Sequence, residues 1–356
     1  MLAMTETTRG LHQPPPPQAR RRSGRPKPIP FTYIPPEDQK EYYELSLNGA
    51  PTEAEAMLGG LTGYYDTGGY IFGRYPSSLT HPNWRRFRDP DRYVFRTYNA
   101  YLAEQAAIVT HGTETILSTG YLDCLDPGWH RALQYLAAFR YHEAGALKLW
   151  QFVQYAAGSE PISYCGVEEC GSRLISTHTL NRYALDLAGA IPGWNDDNAL
   201  ELWLEDGGPL AGAREYVEHE LTVRDWAEGI IADAVVAAPL YYEPLLRFFA
   251  INGAAHGDAS TPTIVSSFTA LAERRTRWAK DFVRLALEVE ENRPLIEGWV
   301  AEWSARAVTA LEALAPLYGA VTRPVLDPGA EAERARAAYG AVVEGLGIGS
   351  RSEVAS

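Results

Sequence analysis

From Tyr98 onward, apolar side chains recur every three or four positions over stretches much longer than the usual helix of about 11–12 residues. "YNAYLAEQAAIVTHGTETILSTG" closes at Gly120, and Asp126-Pro127 then offers a cap residue followed by proline in the first turn. The helix that follows is expected to run to Gly158, the next to end at Gly189, and a short one to cover "NALELWLED". A long helix is expected over roughly 211–252, bent at Pro239 and Pro244. It is apolar nearly all round and so should be central. Two more cover 262–291 and 293–318, and "GAEAERARAAYGAVVEGL" closes the chain. Strand signals are almost absent. The fold class is therefore all-α, a bundle of long antiparallel helices joined by Gly/Pro turns over residues 98–320, with a short C-terminal helix and tail over 321–356.

Residues 1–30 are different in kind. They carry Arg9, Arg20, Arg21, Arg22, Arg25 and Lys27 against Glu6 alone and are rich in proline, so they cannot bury enough apolar surface to order themselves. They read as a free tail or as an arm lying on a partner. Residues 31–97 mix Pro, Gly and aromatics without a sustained period and read as an irregular extension packed by its rings against the bundle.

The formal charge of −13 argues against a nucleic-acid groove, because phosphate neutralisation needs clustered cations and the chain outside its basic tail is strongly acidic. Cys124, Cys165 and Cys170 are too few for a disulfide framework and lack partners at zinc-ligand spacing, so they read as buried thiols in a reducing, cytoplasmic setting. The greasiest run, 229–252, contains Asp233, Glu243 and Arg247, and no membrane span is expected.

Buried carboxylates in a long-helix bundle suggest a di-iron site, which uses Glu-x-x-His on two helices so that carboxylate and imidazole share a face. None of the eight histidines has Glu three places before it. Two weaker pairs remain. Glu215 and His219 are one helical turn apart, and Glu104 and His111 two turns apart. A surface ion pair is the simpler reading of the first and a buried hydrogen bond of the second; together they define the alternative, an enzyme with an atypical metal site. A stand-alone helical binding protein is a third possibility. "WNDDNALELWLED" lacks the ligands of a diphosphate-binding motif, and "GLGIGS" has no strand before it.

The segment "WRRFRDPDRYVFRTYNAYLAEQ" (84–105) carries five arginines and five aromatics in its first fifteen positions. It resembles the W-x-x-[FY]-R-D-P and Y-R-x-Y-N-x-x-x-x-x-Q segments of β subunits of bacterial multicomponent monooxygenase hydroxylases, which act on methane, toluene, propane and alkenes. Trp84, Phe87, Arg88, Asp89, Pro90, Phe95, Arg96, Tyr98, Asn99 and Gln105 match, with Phe95 where Tyr is commoner. "LTVRDWAEGIIADAVVAAPLYYEPLLRFF" is similar to the family's later long helix. The resemblance spans roughly 60–290 and implies a ferritin-like bundle that is not itself catalytic and holds no cofactor. The di-iron site would belong to a partner α subunit. NADH, FAD and iron–sulfur would belong to a reductase, and a coupling protein would regulate the complex. It implies a dimer of αβ or αβγ units that oxidises small hydrocarbons, with short-chain alkenes or alkanes as the expected class. Planar guanidinium forks and half-polar rings are enriched at protein interfaces. Trp84, Arg88, Asp89, Arg96, Tyr98 and Asn99 are accordingly the candidates for a subunit contact; the competing reading is that they pin the extension to its own bundle.

Overall fold

The computed structural model describes residues 77–195 and 197–348. The basic tail and most of the irregular extension lie outside the described residues. Among the described residues every regular element is helical. The helices are α1 (Phe95–Leu117), α2 (Pro127–Ala138), α3 (Arg140–Ala156), α4 (Glu160–Ala190), α5 (Asp197–Leu204) and α6 (Ala211–Glu220), then α7 (Trp226–Ala255), α8 (Ser260–Ala286), α9 (Arg293–Ala313), α10 (Ala315–Gly319) and α11 (Pro328–Gly345). Helix α7 lies among α3, α8, α9 and α11, and α1 sits outside α4 and α8.

Two expected helices are divided. The helix from Pro127 bends at Phe139, whose N–H is shared between the carbonyls of Tyr135 and Leu136 at 3.0 and 3.2 Å. The helix expected over 211–252 stops at Glu220 and restarts at Trp226, where the Asp225 carboxylate accepts the Ala227 N–H at 2.9 Å and caps the new helix. Asp126 caps α2 as anticipated, accepting the Gly128 N–H at 2.9 Å. Helix α11 packs on α7 through Ala335, Tyr339 and Val343, all buried, so this helix is part of the bundle.

The middle of α7, Ile231–Tyr242, is wound as a π-helix containing Pro239. Proline has no N–H to return to the carbonyl five residues back, Ala234, and the Thr276 hydroxyl of α8 donates to that carbonyl at 3.0 Å instead. Helix α7 is long and apolar enough by composition to cross a membrane, but 72% of its most apolar window is buried inside the bundle, which accounts for its all-round hydrophobicity.

Residues 77–94 are mostly extended, with one 3-10 turn over Trp84–Arg86. The Ser78 N–H donates to Asp225 at 2.5 Å, and Thr80 exchanges two hydrogen bonds with the Asn292 amide at 2.9 and 2.8 Å. Trp84 stacks on Phe282 and meets Trp226 edge-on, both at 5.7 Å. The extension is thus pinned to the ends of α7 and α8 by hydrogen bonds and rings.

Candidate functional site

Four helices, α3, α4, α7 and α8, turn charged side chains inward at one level. Arg173 of α4 donates from Nη1 to Glu143 of α3 at 2.9 Å and from Nη2 to both oxygens of Asp233 of α7 at 2.6 and 2.8 Å. Trp150 Nε1 donates to the same aspartate at 2.6 Å, and Arg275 Nε of α8 lies 3.3 Å from it. Trp278 Nε1 donates to Glu169 Oε1 at 3.1 Å, with Arg274 Nη1 at 3.4 Å from that oxygen. The Tyr242 ring lies under both Arg173 and Arg275, 5.0 and 5.3 Å from their guanidinium carbons. All these charged groups are buried.

Burial opposes ionisation of Asp233, but Arg173 and Arg275 outweigh it and hold the carboxyl down at about 2. Burial likewise opposes ionisation of Glu143, and Arg173 overcomes it. His142 is pushed toward its neutral form by burial. A neutral ring fits its two contacts: Nδ1–H donates to Glu143 Oε1 at 3.2 Å, and Nε2 accepts the Tyr241 hydroxyl at 2.8 Å. Glu220, at the end of α6, is buried with neither carboxylate oxygen hydrogen-bonded; burial first, and the nearby Asp233 second, push it far above the usual range.

A second cluster adjoins the first. Arg274 Nη2 donates to Asp89 Oδ2 at 3.0 Å and to Glu168, and its guanidinium lies 4.6 Å from the Tyr98 ring centre and 5.2 Å from that of Tyr93. Among the described residues, Asp89, Cys165 and Glu168 bring possible metal-ligand atoms within 4.8 Å of one another, but Arg274 already spans both carboxylates and supplies the positive charge.

The inward-facing residues do not fit an iron pair. The carboxylates of Glu143, Glu169 and Asp233 are neutralised by arginines, and the one imidazole among them, His142, has both nitrogens engaged. A dication placed there would meet fixed guanidinium charge.

The structure separates the residues singled out in the sequence. Asp89 and Tyr98 are buried at 1% and 2% exposure, Asp89 on Arg274 and Tyr98 with its hydroxyl 2.5 Å from Ser172 Oγ. Trp84 is half-buried, and Arg88 donates to the carbonyls of Phe87 and Arg85. Arg96 and Asn99 lie on the outer side of α1 with Phe95, which is 66% exposed. The alternative metal site is not assembled. Glu215 Oε1 and His219 Nε2 stand 3.6 Å apart on the surface of α6, which packs on α3 and α9. Glu104 and His111 are both exposed on α1, which packs on α4 and α8, so the buried Glu–His hydrogen bond expected of them does not form. Cys165 is buried but Cys170 only partly, and Cys124 is exposed, which corrects the reading of all three as buried. Sequence reasoning missed the arginine network, although one signal was present. Asp233 stands in the apolar run "IADAVVAAPLYY", and a buried acid needs a partner.

The model of the methane/phenol/alkene hydroxylase family matches residues 65–290. The hydroxylase subunit beta of the toluene-4-monooxygenase system of Ectopseudomonas mendocina is 31% identical over 243 residues, 67% of this chain and 74% of the relative. The hydroxylase small subunit of propane 2-monooxygenase from Mycolicibacterium goodii is 23% identical over 306 residues, 79% of this chain and 81% of the relative. The structure of toluene 4-monooxygenase with toluene in its resting active site superposes with a TM-score of 0.66 at 26% identity, covering 72% of this chain and 84% of the matched one. Phenol hydroxylase from Pseudomonas sp. OX1 shares the fold, with a TM-score of 0.69 at 20% identity over 77% of this chain and 81% of that one.

Proposed function

Because this chain belongs to the methane/phenol/alkene hydroxylase family, as a β or small subunit of a multicomponent monooxygenase hydroxylase, we propose that it is the non-catalytic scaffold of that complex. In this reading iron, O2 and hydrocarbon meet in a partner α subunit, with or without a γ subunit. Electrons come from NADH through a flavin and iron–sulfur reductase, and a coupling protein regulates the reaction. The observation that carries the reading is the bundle interior, where Arg173, Arg274 and Arg275 neutralise the inward carboxylates. Paired ionic groups in that position hold four helices in register and set fixed guanidinium charge where a metal would sit.

Short-chain alkenes or alkanes are the proposed substrates, supported by the resemblance and by the propane 2-monooxygenase relative. The outer sides of α1 and α4 are the proposed face for the α subunit. They expose Phe95 at 66%, Ile108 at 54%, Leu174 at 44% and Leu185 at 73%, beside Arg96 and Asn99. Trp84, Arg88, Asp89 and Tyr98 would act one step back, by fixing where α1 begins.

Reconstitution tests the reading. With a cognate large subunit, reductase, coupling protein, NADH and O2, the complex is expected to oxidise propene or propane, and this chain alone is expected to oxidise neither. Turnover by this chain alone would overturn the scaffold role. Oxidation of toluene but of neither short-chain hydrocarbon would overturn the substrate class and leave the subunit role standing.

A further inference from the structure

Asp89 and Glu168 meet on one nitrogen of Arg274, yet they are satisfied very differently. Asp89 Oδ1 accepts the Asp91 N–H at 3.1 Å, and Oδ2 accepts the Tyr93 N–H at 3.0 Å together with Arg274 Nη2 at 3.0 Å. Three donors on two oxygens is the arrangement of an ionised carboxylate, an acceptor only. Glu168 has one contact, through Oε2 to Arg274, while its buried Oε1 has no partner. Its ligand atom lies within 4.8 Å of that of Asp89. Two carboxylates this close in a buried site do not both ionise readily.

We propose that Asp89 and Glu168 form an acid pair holding a single proton, carried by Glu168, and that undocking of the Asp89–Val94 segment from the bundle is coupled to loss of that proton. The geometry ties the proton to the segment. Asp89 and the two backbone N–H groups it accepts lie on the undocking segment, whereas Glu168 and Arg274 belong to α4 and α8. When Asp89 leaves, Glu168 becomes the nearest carboxylate to the Arg274 charge and ionises.

The other groups facing the pair are consistent with a protonated Glu168. From the segment come Asp91, 3.5 Å from Arg274 Nε, and Tyr93; from α1 comes Tyr98; from α4 come Cys165 and Glu169; from α8 comes Arg274. Burial raises the Tyr93, Tyr98 and Cys165 groups, which keeps them neutral and leaves Arg274 as the cation on the pair. Burial foremost, with Asp89 and Glu169 adding to it against Arg274, lifts Glu168 to about 8. A carboxyl raised in the docked state favours docking below the ordinary glutamate range and progressively less as pH rises toward that value.

Hydrogen exchange of the Asp91 and Tyr93 amides in the full chain tests this. After correction for intrinsic exchange, protection is expected to fall about tenfold per pH unit between about pH 5 and about pH 8 and then to level off. In Glu168→Gln, a neutral isostere, the slope is expected to vanish while α4 and α8 keep their protection. Equal slopes in the two proteins, or no slope in the native chain, would overturn the proposal. So would failure of Glu168→Gln to fold, since the proposal requires a neutral group at that position.

Discussion

Arg173 gives a single Nη2 to both carboxylate oxygens of Asp233, at 2.6 and 2.8 Å, and neither side chain is more than 2% exposed. The contact joins α4 to the π-wound middle of α7 at the centre of the bundle. Removing one partner strands the other. Asp233→Ala leaves Arg173 and Arg275 without their shared anion and Trp150 without its acceptor, and should destabilise the chain by about 3–5 kcal/mol. The double variant Arg173→Met/Asp233→Leu, which removes charge from both sides, should lose less than Asp233→Ala. Urea denaturation checks the order; additive losses would show that the two residues do not act as a pair.

Glu220 sets one part of the pH dependence. Its carboxyl is raised by burial, so its contribution to stability is complete below the ordinary glutamate range and is lost as pH rises above it. At neutral pH Glu220→Gln is therefore expected to unfold at a higher urea concentration than the native chain, and near pH 4 the two should coincide. Asp233 behaves oppositely. Its carboxyl is held at about 2, so its contribution is present above the ordinary aspartate range and fades as pH falls toward that value. A Glu220→Gln midpoint below the native one at neutral pH would contradict this assignment.

Helix spacing gives a sharper contrast. A Cβ on Gly212 of α6 would lie 2.6 Å from Ala310 Cα of α9, a backbone atom that cannot swing aside, whereas a Cβ on Gly298 meets nothing within 4 Å. Gly212→Ala should cost about 1–3 kcal/mol through overpacking. Gly298→Ala, mid-helix and exposed, should add roughly 0.5–1 kcal/mol. Thermal midpoints moving in opposite directions are the expected result.

The outer face of α1 can be tested without disturbing the core. Phe95→Glu and Ile108→Glu alter side chains that are 66% and 54% exposed, so the chain alone should keep its unfolding midpoint while co-purification with the large subunit falls at least tenfold. Undiminished co-purification would move the contact elsewhere.

Much of the fold was legible because local signals set helix ends. Asp126-Pro127 capped α2 as written, and the periodicity located α4, α8, α9 and α11. The break before α7 escaped because "LTVRD" contains neither glycine nor proline, although Asp225 with Glu228 three places on is a capping pattern in plain view. The bend at Phe139 left no composition signal at all. The site was less legible. Glu143, Arg173, Asp233 and Arg275 come from four helices far apart in the chain, and no local period reveals that they converge. The residues of the 84–105 segment stood out as a group by composition, but a sequence does not show which side of α1 faces inward until Tyr98 and Leu102 are seen packed on Leu271.

The central claim is that arginines fill the place of a metal in this subunit, and metal analysis tests it most directly. The chain purified alone should contain no stoichiometric iron, and its complex with the large subunit about two irons per pair, the complement of a di-iron hydroxylase. Near-stoichiometric iron in the isolated chain, retained after chelator treatment, would contradict the account.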